Sequence, residues 1–535
     1  MSTIDATVVL DSRVDVSSSY TELVPFTGQQ VNQFEVPADG SSYTSQIYFN
    51  NIVSPGGLNS TLVGRNVRIR YNVTITSPSN GGTPVIGLPQ NPFVALNAPT
   101  AAFRAFPLTS VSDTITVQIN GASTTINPRQ ILSATQRFIP KSYLDREGLE
   151  GPVMADNRAA LLADTVLTSN AAAGVPTALS PVSNQPLSRY ENSTSHTRGS
   201  FLPISYTNAA NVSTWVFEIS EPLMVSPFTL WDNEVYLGQL NTLSVQYNYS
   251  SIQDMFVSSQ AYLALDGGVG NGSIVISNPR LELCYIQTDM SLVTIPRSLK
   301  YDYENVIYFP QTFATAAGNA FVTQFNSQTL RLQTMPKMIY CFARNQIQTR
   351  LGQTQPDCFY GIGNASGQAG LSIQLGTRTG MLASASTKTI YRMTCSNGYN
   401  STFEDWTYGS GGVIAINPQK DLGTSVGDGL AGMSSGNVNF QIQFNVNSFP
   451  QAYAGALATI PAVIEVMIVV VYGGLMDIQA DTAVFNLGTL TQNEVDALLH
   501  KNKSLVSSET VAQTVPSGSG LFAKGKVIVG HGNSK

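Results

Sequence analysis

Three histidines, His196, His500 and His531, are the chain's natural candidates for proton transfer or metal ligation. None neighbours another histidine, whereas a metal-binding barrel enzyme of the cupin type sets two or three in one strand-rich motif. Glycine-rich sequence offers a second set. Residues 423–427 and 432–436 both spell GxSxG, and residues 427–432 spell GxGxxG. A nucleophile elbow needs an apolar strand before it and a helix after it, and a dinucleotide loop needs the same flanks. These matches have neither. The adjacent acids Glu404 and Asp405 stand beside Trp406, an association suited to sugar chemistry, but one adjacent pair is too little to carry that reading. Walker loops, HExxH and CxxC pairs are missing. No catalytic, cofactor-binding or metal-ligating residue is assigned, and no cofactor is expected.

Composition points to self-association. Only 12% of the 535 residues are charged, about half the roughly 25% of ordinary domains. Asn, Ser, Thr, Gln and Gly take their place, giving a surface with little like-charge repulsion to keep copies apart. Such a chain suits packing against itself; a secreted or adhesive β protein shares the composition. The net charge of −6 does not suggest a nucleic-acid binder. The cysteines Cys284, Cys341, Cys358 and Cys395 lie far apart in strand-like contexts and read as buried thiols of a reducing compartment. The start has neither a basic region nor an apolar run, so no signal peptide is read there, and synthesis without secretion is expected. The apolar run from Gly455 to Met476 is long enough to span a bilayer but contains Pro461 and Glu465. Its β-branched density favours a buried strand preceded by a loop.

Two stretches half a chain apart share one pattern. Ile115, Val117 and Ile119 alternate, Asn120-Gly121 marks a tight hairpin, Ala122 to Ile126 returns, and Asn127 with Pro128 opens a helix carrying Ile131, Leu132, Thr135 and Phe138. Downstream, Leu371, Ile373 and Leu375 alternate. Thr377–Gly380 supplies a turn, Met381–Ala385 returns, Ser386 caps a helix with Ile390, Tyr391, Thr394 and Cys395 on one face, and Gly398 stops it. Hairpin-then-helix is common in long β proteins, so the repetition alone does not establish a duplication.

Around these units the chain reads as short strands. In the stretch 65–75, Val67, Ile69, Tyr71, Val73 and Ile75 form one face against Asn66, Arg68, Arg70, Asn72 and Thr74. Further strands are expected at 46–50, 201–206, 214–219, 242–247, 273–276, 280–286, 305–309, 329–332, 338–343, 413–416, 438–446 and 463–472. The expected fold is all-β: two consecutive jelly-roll β-sandwiches with small helical insertions and long loops. An N-terminal arm (1–43) leads into a first sandwich (44–290) with long surface loops at 77–107 and 155–197. A second sandwich (291–490) follows, linked through Thr288–Lys300. A short helix opening at the Thr491–Glu494 capping box and a flexible basic arm complete the chain (491–535).

Several segments carry a resemblance. Thr329–Arg344, Ile373–Leu382, Asn51–Asn66 and Pro222–Phe228 are similar to the double jelly-roll major capsid proteins, above all those of polinton-like viruses and virophages. The resemblance runs over roughly residues 40–495, leaving 77–197 and the tail past Lys501 outside it. It implies a homotrimer of two-sandwich subunits, a pseudo-hexameric capsomer tiling an icosahedral DNA-virus shell, with the 155–197 loop projecting outward. It also implies penton and minor capsid proteins as partners, and location in the virion. The arm Lys501–Lys535 is expected to touch genome, internal membrane or a neighbouring subunit. The rival reading is a surface adhesin or carbohydrate-binding protein using Trp406, Tyr408 and the Asn-rich loops.

Overall fold

The computed structural model describes residues 30–53, 61–80, 83–84, 101–148, 150–153, 203–209, 212–228, 236–258, 273–287, 298–314, 322–332, 335–346, 359–363, 367–408, 411–423, 438–447, 463–479 and 482–487. The first half supplies β1 (Gln30–Pro37), β2 (Gln46–Val53), β3 (Thr61–Gly64), β4 (Arg68–Asn80), β5 (Thr83–Pro84), β6 (Ala101–Phe103), β7 (Ser112–Ile119) and β8 (Ala122–Ile126). After helical insertions come β9 (Ser205–Ala209), β10 (Val212–Pro222), β11 (Tyr236–Gly238), β12 (Thr242–Tyr249), β13 (Phe256–Ser258) and β14 (Ser273–Gln287). One sheet runs β11-β3-β14-β4-β10-β9, with β1 added on β14 and β5 on β4; the facing sheet runs β2-β12-β7-β8. All these pairings are antiparallel.

The alternation read in β4 is what closes this sandwich. Ile69, Tyr71, Val73 and Ile75 are fully buried, and meet Leu243, Val245 and Tyr247 of β12 and Ile115 and Val117 of β7 in one core. Between β7 and β8, Asn120 (φ 46°) and Gly121 (φ 87°) take the two positive angles a tight hairpin needs. The Asn120 side chain also accepts from the Asn241 and Thr242 amides, pinning the start of β12.

The second half contributes β15 (Ser298–Ala314), β16 (Val322–Asn326), β17 (Leu330–Leu332), β18 (Met338–Asn345), β19 (Gly361–Ile362), β20 (Ser372–Leu375), β21 (Arg378–Met381), β22 (Val413–Ile416), β23 (Val438–Asn447), β24 (Val463–Gln479) and β25 (Thr482–Leu487). One sheet runs β15-β24-β18-β22 with β25 on β24; the other runs β16-β23-β20-β21 with β17 and β19 on β23. Helices are α1 (Pro107–Val111), α2 (Pro128–Thr135), α3 (Lys141–Glu147), α4 (Thr387–Ser396), α5 (Phe403–Tyr408) and α6 (Pro418–Asp421).

The halves interlock through β15 and β24, which pair along 17 residues from Ser298↔Gln479 to Ala314↔Val463. At one end, Leu299, Tyr301, Tyr303, Met476, Ile478 and, on β25, Ala483 belong to the first core. At the other, Ile464, Val466, Ile468, Val470 and Tyr472 belong to the second. Tyr301 accepts from the Gly238 amide of β11 at 2.6 Å, and Tyr303 shares a hydrogen bond with Thr124 of β8. The expected linker therefore ends inside a shared strand.

Several expectations shift. The downstream turn is Gly376-Thr377, because Gly376 takes φ 60° one step early, so the return strand is Arg378–Met381 rather than Met381–Ala385. Ser386 caps α4 by accepting from the Thr389 amide, and Gly398 (φ 107°) follows its end, both as read. Asn127 does not cap α2: its side chain donates to the Asp113 carbonyl instead. The strand expected at 201–206 lies at Ser205–Ala209. The two expected at 273–276 and 280–286 are one strand, bulged where Asn278 takes φ 53°. The 77–107 loop contains the end of β4, β5, β6 and the start of α1. Residues 1–29, 155–197 and 488–535, with the read C-terminal helix and basic arm, lie outside the described residues.

Candidate assembly surfaces and the junction between the halves

The apolar run in β24 is continuous because both its faces are covered. One face fills the second core, while Met467 and Val469 pack with Phe342 and Phe359 against Ile131 and Ala134 of α2. The helix of the first hairpin unit is thus seated on the second sandwich's sheet. Beside it Arg344, fully buried, sits directly opposite Glu465 in the β18–β24 ladder. Arg344 Nε donates to Glu465 Oε2 at 2.8 Å; its Nη1 and Nη2 donate to the Gln130 backbone carbonyl at 3.0 Å and side-chain oxygen at 2.5 Å. Glu465, which argues against a membrane span, is the counter-charge of this contact.

A second buried polar cluster fixes α1. The Glu221 carboxylate accepts from the Leu108 amide (2.9 Å), the Thr109 amide (3.0 Å) and hydroxyl (2.8 Å), and the Tyr71 hydroxyl. Burial pushes its pKa above the usual carboxylate range while these four donors pull the other way. The same burial raises the Tyr71 phenol well above its ordinary value.

The outer face of the first sheet carries much of the chain's sparse charge. Glu35 on β1 pairs with Arg280 on β14 (2.8 Å), and Arg70 on β4 bridges Glu282 on β14 (2.6 Å) and Glu218 on β10 (3.4 Å). Arg68 reaches Glu147 on α3 (2.5 Å) and Glu150 just beyond it (2.9 Å). The hydrogen bond from Arg280 holds Glu35 below the usual range. The pairs of Glu35 and Arg70 are open to solvent, which screens them, so their effect is a fixed pattern of alternating charge more than stability, whereas Arg68 and Glu147 are largely withdrawn from water. Val212, Val275 and Ile204 stand exposed on or beside this sheet, the mixed apolar and polar character typical of protein contact surfaces.

Among the described residues, no group of three or more His, Cys, Asp or Glu is placed to hold a metal ion. The three histidines and residues 424–437 of the glycine-rich patterns lie outside them. Trp406 of α5 is fully buried and donates to the Val413 carbonyl at 2.9 Å, so it offers no platform for a sugar ring. Cys341 is buried and Cys284 and Cys395 half-buried, all as free thiols; Cys358 lies outside the described residues. No described helix is long and apolar enough to cross a membrane. What the sequence reading missed is the junction, whose signal was the pair of ionisable residues Arg344 and Glu465 within or beside the apolar runs of β18 and β24.

Comparisons with known proteins agree with this architecture. Residues 2–283 match the family model described as Sputnik virophage major capsid protein 1st domain, and residues 306–410 that of the major capsid protein V20 C-terminal domain. The putative capsid protein V20 of Sputnik virophage is 26% identical over 528 residues, covering 92% of this chain and 81% of that protein. Among solved structures, the Sputnik virophage structure from cryo-electron microscopy aligns with a TM-score of 0.68 at 21% identity, over 96% of this chain and 97% of its counterpart. The mavirus major capsid protein aligns with a TM-score of 0.62 at 15% identity, over 93% and 98%. Both sandwiches thus have the arrangement of double jelly-roll capsid proteins.

Proposed function

Because the chain belongs to the Sputnik virophage major capsid protein family, we propose that three copies join into a pseudo-hexameric capsomer, and that these capsomers tile an icosahedral shell around a DNA genome. One observation carries the reading: two sandwiches interlocked by a shared strand pair present a firm two-lobed subunit. Three such subunits give six near-equivalent edges, which is what a hexagonal lattice requires. The role is structural rather than catalytic, and the location is the virion. Low charge and mixed surfaces suit broad interfaces more than a few ion pairs. Penton and minor capsid proteins are the further partners of such a shell. The lysines of the Lys501–Lys535 arm make it the candidate contact for genome, internal membrane or neighbouring capsomer.

The test is the mass of the purified protein by light scattering, with negative-stain imaging of the same fractions. Trimers of hexagonal outline, or closed shells, are expected. A monomer at every concentration overturns the reading. Deleting residues 501–535 is expected to impair shell closure or genome retention; unchanged assembly and retention remove the role given to the arm.

A further inference from the structure

The two sandwiches follow one plan. Sheet order β14-β4-β10 in the first repeats as β24-β18-β22 in the second, and β2-β12-β7-β8 repeats as β16-β23-β20-β21. In each, the hairpin at the sheet's end runs into a helix, α2 after β8 and α4 after β21. One helix of the two is covered. No residue of α2 is exposed, and its Ile131 and Ala134 rest on the outer face of the second sandwich's sheet at Phe342, Met467 and Val469. The corresponding helix and the corresponding sheet face have no such cover. On α4, Lys388, Thr389, Arg392 and Ser396 are exposed along one face, with Ile390 and Thr394 buried behind them. On the first sheet, Val73, Ile75, Trp215 and Phe217 point into the core. The alternate positions therefore face outward: Val275, Thr74 and Val216 in one cross-strand row, Ser277, Asn72 and Glu218 in the next, none of them buried.

The two uncovered surfaces have changed character together. Where α2 offers aliphatic side chains to an apolar sheet, α4 offers two cations and two hydroxyls, with no acidic residue anywhere in Thr387–Ser396. The outer face of the first sheet, with α3 beside it, holds five carboxylates, Glu35, Glu147, Glu150, Glu218 and Glu282, tied to only four guanidiniums. The side chains of Glu35 and Glu218 are each 43% exposed, open to an incoming cation. Val275, 53% exposed, adds apolar area on the same face. A cationic helix face and a sheet face with spare acid are complementary, and like charges set opposite one another would repel.

We infer that the Lys388, Thr389 and Arg392 face of α4 docks on the outer face of β14-β4-β10 in the next copy of this chain, repeating between copies the contact that α2 makes within one. The inference rests on the three-copy reading and deepens it by naming the two surfaces that meet. The contact is head-to-tail, a different patch on each side, so it passes from copy to copy until the rotation closes. In a ring of three chains, six sandwiches are then held by one kind of joint in two versions. The apolar version is sealed inside each chain; the polar one lies between chains.

The experiment follows the mass of the full-length protein by light scattering over a range of concentrations, beside K388E/R392E. The wild type is expected to reach three protomers, and the variant to need at least about tenfold more protein to do so. Adding E218K to the helix variant is expected to recover part of the loss, because the opposed charges are then exchanged. A carbodiimide condenses a lysine amine with a carboxylate and takes up the water as a urea. In a mixture of isotopically light and heavy copies it is expected to join Lys388 of one copy to Glu218 or Glu282 of another. A trimeric wild type whose K388E/R392E variant assembles equally well overturns the docking surface and leaves the three-copy reading standing. A wild type that stays monomeric overturns both. Should K388E/R392E fail to fold, the cross-link on the wild-type trimer decides, and Lys388 joined elsewhere, or to nothing, overturns the surface.

Discussion

Arg344 donates to both the backbone carbonyl and the side-chain oxygen of Gln130, so one guanidinium closes a strand pair in the second sandwich and anchors a helix of the first. This contact is more than a surface ion pair, since Arg344 is fully buried and Glu465 nearly so. Replacing Glu465 alone by leucine leaves a buried cation without its carboxylate and is expected to cost about 3–5 kcal/mol. The double variant R344M/E465L removes both charges and is expected to lose markedly less. Urea denaturation of the three proteins checks this, and a double variant as damaged as the single one contradicts it.

Ile131 is the apolar counterpart of that anchor, 3% exposed and packed against the Phe342, Phe359, Met467 and Val469 group. Ile131→Ala is expected to destabilise by about 2–4 kcal/mol, the sum of lost burial and the cavity left behind. The measurement is the denaturation midpoint. An exposed substitution on the preceding strand β8, Ser123→Ala, is expected to change it by less than about 0.5 kcal/mol.

The strands were readable because burial on one face imposes a period of two, and β4, β12 and β23 each keep it over eight residues or more. Asn120-Gly121 and Ser386 were readable because few residues accept positive φ or cap an amide. Turns with competing glycines were not: Gly376 and Gly380 both take positive φ, and local chemistry does not say which one reverses the chain. Asn127 was misassigned as a cap because its partner, the Asp113 carbonyl, arrives from the preceding strand. The junction escaped for a related reason. A strand buried on both faces shows only that something covers it, and α2, its cover, lies more than three hundred residues away in the chain.

Buried tyrosines set an alkaline limit. Burial pushes Tyr285 and Tyr301 up to about 12, whereas unfolded tyrosine ionises near 10. Their contribution is complete below pH 10. Above it the unfolded chain releases protons that the folded one retains, so stability falls as pH rises toward 12. The expected slope is on the order of 1 kcal/mol per pH unit for each tyrosine. Melting temperatures from pH 9 to 12 check the onset, and Tyr301→Phe is expected to shallow the decline.

Thiol reactivity should rank by burial. Burial pushes the Cys341 thiol far above its ordinary value, and Cys284 more moderately. At pH 8, alkylation mapped by mass spectrometry is expected to reach Cys284 and Cys395 well before Cys341, which should react only as fast as the protein unfolds. Early labelling of Cys341 contradicts the packing of β18.

The shared strands also dictate when this protein becomes finished during synthesis. The last strand of the first half's own sheet ends at Gln287, yet that half's core still lacks Met476, Ile478 and Ala483. At roughly 5–20 residues per second, a ribosome needs some tens of seconds to deliver them. Over that interval the nascent first half carries an unsealed apolar flank, so a chain broken off before β24 is left a client for chaperones and proteases. The fold thereby makes completeness of translation a condition for any subunit to be sealed.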